Sequence, residues 1–367
     1  MFKKHRIRSR IYFTIAALGL ITAWWFNAMA VFQEADYLRA WFGSYVDWVL
    51  SLDLLIVGAG VITFMLVEAK RLGMKRVWIY FLLSGFTAMA FTFPLFMAFR
   101  ERKLLQLRLA GGSIERYEFD NHIVDVWLPA DLNPETPVLV MHDGRNIFDE
   151  KDSYTGKTWE VLPAIRDEVR GPKPVVIALW GFSDLTRLRE LAPQKILDNH
   201  QEIWDGMPAD YADAPGESMG DAYVSLMADA ILPFVADKHG LELNPDRTAV
   251  MGSSMGGLMS LYALGQRPEV FGTAIAFSTH WPFGGNELVE RTIKELPSPS
   301  THKIWMSHGT KGLDSAYAPF QHLADKLMAE RGYLPHNFVS KVYVRSGHNE
   351  RSWAKYLDQP MRFWLSS

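Results

Sequence analysis

Hydrophobic positions follow two regimes along the chain. In the first hundred residues they form three long runs, Ile11–Val31, Val46–Val67 and Val77–Phe99, with almost no charge inside them. At a helical rise of about 1.5 Å per residue, each run can cross a hydrocarbon layer of roughly 30 Å. Three membrane spans are therefore expected, at about 11–31, 46–67 and 77–99, within a membrane domain of residues 1–109. Asp53 lies inside the second run and Pro94 inside the third. An ionisable group there faces protein, water or headgroups, and a membrane helix tolerates proline when its neighbours satisfy the carbonyl it frees.

Beyond a charged, helical connector at 100–110 and the pair Gly111-Gly112, the apolar runs shorten and alternate with helical periodicity. Residues 114–119 and 122–128 read as a hairpin turning at Asp120-Asn121. Strands are expected at 137–141, 174–179, 248–252, 272–277, 303–307 and 337–344. Helices are expected at 159–169, 219–238 (kinked at Pro233), 258–264, 286–296, 316–331 and from Glu350. This alternation implies a mostly parallel sheet flanked by helices, in a second domain of residues 110–367. Trp204, Met207 and Tyr211 fall in a long excursion with the position of a lid.

Charge sets the orientation. Lys3, Lys4, Arg6, Arg8 and Arg10 precede the first run, and Lys70, Arg71, Lys75 and Arg76 follow the second. Both segments are expected in the cytoplasm, with Glu34, Asp36, Arg39 and Asp47 outside. A third crossing then carries the remaining chain to the outer face of the plasma membrane, against the cations Arg100, Arg102, Lys103 and Arg108. Ala28-Met29-Ala30 resembles a signal-peptidase site, and cleavage there would leave that topology unchanged. The 367 residues carry a net charge of −3 and no cysteine. Nucleic-acid binding has no electrostatic basis, and disulfides, thiolate nucleophiles and Cys-ligated zinc are excluded.

The chemistry centres on Thr248-Ala-Val-Met-Gly-Ser-Ser-Met-Gly-Gly257. A short apolar strand meets a glycine-bounded turn and then a helix, with Ser254 at the apex, as in a nucleophile elbow. A serine hydroxyl needs a base, and the base needs a carboxylate to fix its tautomer. Functional residues of such sheets collect at the C-terminal strand ends. Asp314 follows the strand at 303–307 and His348 the last strand, giving the order Ser, acid, His. Glu350 stands near His348 as the other candidate acid. Two N–H donors are expected to hold the oxyanion: Met255, after the nucleophile, and Arg145, in the loop His142–Phe148. His142, His280 and His308 show no metal-ligand spacing, and no glycine pattern cradles a phosphate or dinucleotide, so neither metal nor cofactor is expected.

Four stretches, Asp143–Asp149, Gly252–Leu258, Pro268–Gly272 and Gly347–Glu350, carry a resemblance from about residue 115 to the end. They are similar to the putative-esterase family of α/β-hydrolases, which includes enterochelin-esterase-like enzymes, esterase D, feruloyl esterases and mycolyltransferases. The resemblance implies an α/β-hydrolase fold, with Ser254 as nucleophile, His348 as base and Asp314 as acid. It places Asp143, Gly144 and Glu190 on the substrate side. The first hundred residues, through Ser51–Ile56, Glu68–Met74, Pro94–Phe96 and Arg100-Glu101, resemble a family of small bacterial membrane domains of unknown function. The expected protein is a membrane-anchored serine hydrolase forming an acyl-enzyme. Its partners are the lipid bilayer and a small-molecule or envelope ester. An acyltransferase using an envelope alcohol and a non-catalytic tethered module are the alternatives.

Overall fold

The computed structural model describes residues 2–169, 171–182, 186–200, 202–203, 217–299 and 301–366. It divides into two compact units, Met1–Leu109 and Ala110–Ser367.

The first unit contains α1 (Phe2–Phe32), α2 (Tyr37–Phe42), α3 (Tyr45–Leu72), α4 (Trp78–Phe86) and α5 (Met89–Arg108). A reciprocal Ser44–Asp47 capping box starts α3, and left-handed Gly73 ends it. Two helical stretches, Lys4–Phe32 and Tyr45–Leu72, are long and apolar enough to cross a membrane. Their large side chains stay uncovered: Trp25 is 64% exposed and Ile56 70%. Apolar surface of this extent is compatible with a lipid environment.

The expected third span, 77–99, is not one helix. It breaks between Phe86 and Met89, and α5 folds back along α4. Ser84 Oγ lies 2.5 Å from Thr92 Oγ1, and the Tyr80 and Phe96 rings meet edge to face at 5.5 Å. The break falls where Ser84, Gly85 and Thr87 weaken helix propensity and hydroxyls can satisfy backbone carbonyls. Ser84 Oγ donates to the Tyr80 carbonyl, Thr87 Oγ1 to Leu83 and Thr92 Oγ1 to Ala88. Pro94 sits inside α5, tolerated there as expected. A proline removes the hydrogen bond to the carbonyl four residues earlier, here Ala90. That carbonyl is packed against Gly19 of α1, where an added Cβ would approach it to 2.2 Å.

The second unit opens with β1 (Ser113–Phe119) and β2 (His122–Leu128), joined through Asp120 and Asn121, both at positive φ. There follow β3 (Val138–Met141), α6 (Val161–Glu168), β4 (Val175–Leu179), α7 (Thr186–Glu190), α8 (Gln194–Asn199), α9 (Gly220–Ser225), α10 (Leu232–His239), β5 (Thr248–Ser253), α11 (Met255–Gln266), β6 (Thr273–Phe277), α12 (Gly285–Glu295), β7 (Lys303–Lys311), α13 (Ala318–Glu330), β8 (Phe338–Gly347), α14 (Glu350–Ala354) and α15 (Asp358–Leu365). The sheet order is β1-β2-β4-β3-β5-β6-β7-β8, parallel from β4 to β8, with β1 and β2 antiparallel. Strands β3, β4, β5 and β6 are buried along their whole length, as continuous Val, Ile and Ala runs in a sheet covered on both faces must be. The arrangement is the expected α/β-hydrolase fold.

The long helix expected at 219–238 contains a π-helical stretch, Leu226–Ile231, between α9 and α10. A widened turn stands just ahead of Pro233, in the stretch that holds the carbonyl of Asp229 to which a proline cannot donate. Trp204, Met207 and Tyr211, the expected lid residues, lie outside the described residues.

Candidate active site

Ser254 occupies the corner between β5 and α11 with φ 57° and ψ −124°, a conformation costly for a residue with a Cβ. Three backbone bonds fix it: its N–H donates to the Phe277 carbonyl at 2.9 Å, and its carbonyl accepts from the Leu258 N–H at 3.1 Å and the His280 N–H at 3.2 Å. The crossing of strand and helix requires glycine at 252, where a Cβ would stand 2.5 Å from the Gly256 carbonyl oxygen.

The ends of β7 and β8 bring Asp314 and His348 together. Asp314 Oδ1 lies 2.7 Å from His348 Nδ1, while Oδ2 accepts from Ser278 Oγ and the Gly309 N–H, both at 2.7 Å. Burial alone would raise the Asp314 pKa, but the hydrogen bonds from His348, Ser278 and Gly309 outweigh it and hold the carboxyl below its ordinary value. Asp314 is thus an acceptor only. His348 Nδ1 carries the proton, and Nε2 is left as the basic nitrogen. Among the described residues no hydrogen bond joins Ser254 Oγ to His348; such contacts commonly tighten only when substrate binds. Glu350, the other candidate acid, instead accepts from Thr155 Oγ1 at 2.9 Å.

Sequence reasoning missed the supports of this pair. Trp353 Nε1 donates to Ser278 Oγ at 3.0 Å, and the Trp353 ring packs edge to face on His348 at 5.1 Å. Tyr317 packs on the same imidazole at 5.8 Å, with its hydroxyl 2.5 Å from His280 Nδ1. Ser278 directly follows β6, so its strand-end position was the available signal.

The loop after β3 supplies the other half of the site. Asp143 is left-handed at φ 53° and leads into a short 3-10 turn, Gly144–Asn146. Arg187 grips Asp143 with two parallel bonds, at 2.5 and 2.6 Å. Burial would raise this carboxyl too, yet the adjacent guanidinium keeps it below the ordinary range. The first residue of α11, Met255, and the second of the 3-10 turn, Arg145, both have N–H groups with no acceptor among the described residues. The Arg145 side chain turns away from such a role, stacking 4.2 Å over the Tyr154 ring.

Gly144 permits this path, since a Cβ there would lie 2.5 Å from the Ala178 carbonyl. Gly144→Ala is therefore expected to displace the loop and lower kcat about 10²-fold, the scale for one lost oxyanion donor. Steady-state kinetics beside an unchanged circular dichroism spectrum would check it.

Glu190 is interior. It is 2% exposed, with Oε1 2.6 Å from His122 Nε2. His142 and His280 are also interior, with Nδ1 3.0 Å from the Tyr223 hydroxyl and 2.5 Å from the Tyr317 hydroxyl respectively. Burial lowers the pKa of His142 from 6.5 to about 4; burial, aided by nearby His348 and Arg187, does the same for His280. Both stay neutral in the folded state, while the unfolded chain takes up protons below pH 6.5. Stability is thus lost as pH falls from 6.5 toward 4, on the order of 3 kcal/mol per histidine. The melting midpoint should drop over that interval, and His142→Phe should flatten the dependence. A separate cavity of about 570 Å³, lined by Glu135, Asp246, Lys303 and Trp364 among others, borders none of the residues of this site.

Comparison with known proteins agrees with this architecture. The family model described as Putative esterase matches residues 120–363, and that of DUF2834, a protein of unknown function, matches residues 11–102. The uncharacterized protein YbbA of Bacillus subtilis (strain 168) is 21% identical over 264 residues, covering 69% of this chain and 96% of the relative. An IroE-like serine hydrolase from Shewanella oneidensis superposes with a TM-score of 0.51 at 15% identity, over 67% of this chain and 78% of its own. The enterochelin esterase of Shigella flexneri gives a TM-score of 0.47 at 18% identity, over 69% of this chain. This chain covers only 58% of that enzyme's length. Matched over residues 120–363, this chain belongs to the Putative esterase family of ester-hydrolysing enzymes.

Proposed function

We propose that the protein is a membrane-attached serine esterase, with a membrane domain of residues 1–109 and a catalytic domain of residues 110–367. Ser254 is the nucleophile, His348 the general base and acid, and Asp314 the residue that orients His348. The Ser254 hydroxyl proton passes to His348 Nε2 as Oγ bonds to the ester carbonyl carbon. The carbonyl electron pair moves onto oxygen, where the N–H groups of Met255 and Arg145 receive it. Collapse of this intermediate breaks the bond to the alcohol, which leaves with the proton from His348. Water then attacks the acyl-enzyme by the same route and releases the acid.

The observation that carries this reading is the 2.7 Å Asp314–His348 contact beyond the ends of β7 and β8, in the same parallel sheet whose β5 ends at the strained Ser254 corner. The substrate is a small-molecule ester. Asp143 and Gly144 act on it by shaping the oxyanion loop, and Glu190, buried against His122, belongs to the supporting shell of the substrate side. Labelling with a fluorophosphonate probe tests the proposal, because only an activated serine reacts. Labelling of the folded wild type is expected, and a folded protein that stays unlabelled would overturn the catalytic reading.

A further inference from the structure

We infer that the chain leaves its membrane domain on the side where it entered, so that residues 110–367 lie in the cytoplasm. The inference rests on the reading of α1 and α3 as membrane spans. The third apolar run then enters the bilayer only halfway and returns.

Pairing of the helices gives their directions. Along α1 and α5 the contacts run in opposite senses: His5 Nδ1 lies 2.6 Å from Glu101 Oε2, Ser9 Oγ donates to the Ala98 carbonyl at 3.0 Å, and Gly19 meets Ala90. Along α3 and α5 they run in the same sense: Gly58 faces Met89, the Phe64 and Phe93 rings meet at 6.2 Å, and Arg100 Nε lies 2.6 Å from Glu68 Oε1. The C-terminal part of α5 therefore shares a level with the start of α1 and the end of α3. The hairpin tip at Thr87-Ala88 is level with Gly19 and Gly58, near the middle of those two helices. The nine residues of α4 rise about 14 Å, half of a hydrocarbon layer of roughly 30 Å. Irregular backbone at that depth needs internal partners. The hydroxyls of Ser84, Thr87 and Thr92 provide them.

A buried ionic cluster fixes this common end. Glu68 accepts from Arg71 and Arg100, and Glu101 from Arg100, with His5 against its other oxygen. Glu68 and Glu101 are almost wholly buried. Moving the end of α5 to the opposite face would unpair these groups, which is strongly destabilising.

Charge then names the face. Residues 3–10 carry five Lys or Arg, residues 70–76 four and residues 100–108 four, whereas residues 33–47 carry Arg39 alone among three acids. With a half-way hairpin, every cationic segment falls on one side, and the positive-inside rule makes that side cytoplasmic. The cations after the third run, at odds with a third crossing, agree with this path. The enzyme then draws its esters from the cytoplasm or the inner leaflet.

Because the chain has no cysteine, single cysteines report location without background. Two exposed positions serve: Gln33, between α1 and α2, and Lys326 on α13. Full-length Gln33→Cys and Lys326→Cys would be expressed in Escherichia coli, and spheroplasts treated with a membrane-impermeant maleimide before and after lysis. The expected result is labelling of Gln33→Cys in intact spheroplasts and of Lys326→Cys only after lysis. Labelling of Lys326→Cys in intact spheroplasts would overturn the inference, whether or not Gln33→Cys is labelled. Alkaline carbonate extraction separates the two readings. A protein that stays in the pellet with Lys326→Cys accessible outside leaves the spans intact and refutes only the hairpin path. A protein released to the supernatant refutes the spans and this inference together.

Discussion

Ser254→Ala is expected to lower kcat about 10⁵- to 10⁶-fold with the protein still folded and KM little changed. Alanine keeps a Cβ, so the left-handed corner at φ 57° and its bonds to Phe277 and His280 are conserved, and only Oγ is lost. Without it no acyl-enzyme forms, and the oxyanion donors and bound geometry provide what activity remains. The same variant should lose all fluorophosphonate labelling. Esterase turnover within tenfold of wild type in Ser254→Ala would remove this serine from the mechanism. Pre-steady-state kinetics with a chromogenic ester adds a second readout, since the burst of alcohol release should vanish.

Asp314→Asn should cost about 10⁴-fold in kcat, and the reason lies in its two unequal oxygens. Oδ2 is held by two donors, Ser278 Oγ and the Gly309 N–H, so the amide oxygen must take that place. The amide nitrogen then faces His348 Nδ1, now a donor where an acceptor stood. His348 must turn its lone pair to Nδ1 and its proton to Nε2, and can no longer accept from Ser254. Glu350→Gln provides the control, because Glu350 is held by Thr155 and not by His348. It should change kcat less than tenfold. If Glu350→Gln were the damaging change and Asp314→Asn the mild one, the acid would have to be reassigned.

What the sequence revealed of the catalytic unit was local in origin. The Asp120-Asn121 turn, the Gly252–Gly256 crossing and the short buried strands each follow from a few adjacent residues, and the order of strand ends placed Ser254, Asp314 and His348 in one sheet. The supports were not legible because they join distant positions: Arg187 reaches Asp143 across 44 residues, and Trp353 reaches Ser278 across 75. Glu190 was placed on the substrate side by the family resemblance alone, and its buried contact with His122 was not legible because His122 comes from the opening hairpin, 68 residues earlier. The break in the third apolar run was hidden for another reason. Its hydropathy matched a span, but the decisive residues were Ser84, Gly85 and Thr87, which scarcely alter an average and yet set where a helix ends.

The hairpin of α4 and α5 also determines how much of the chain the insertion machinery has to move. With two crossings and a half-way return, only the short stretch between α1 and α3, residues 33–44, passes to the far side. A segment of that length crosses as part of a paired helical insertion. On the path inferred above, the esterase domain is not threaded through the membrane, and can fold beside the ribosome as it is synthesised.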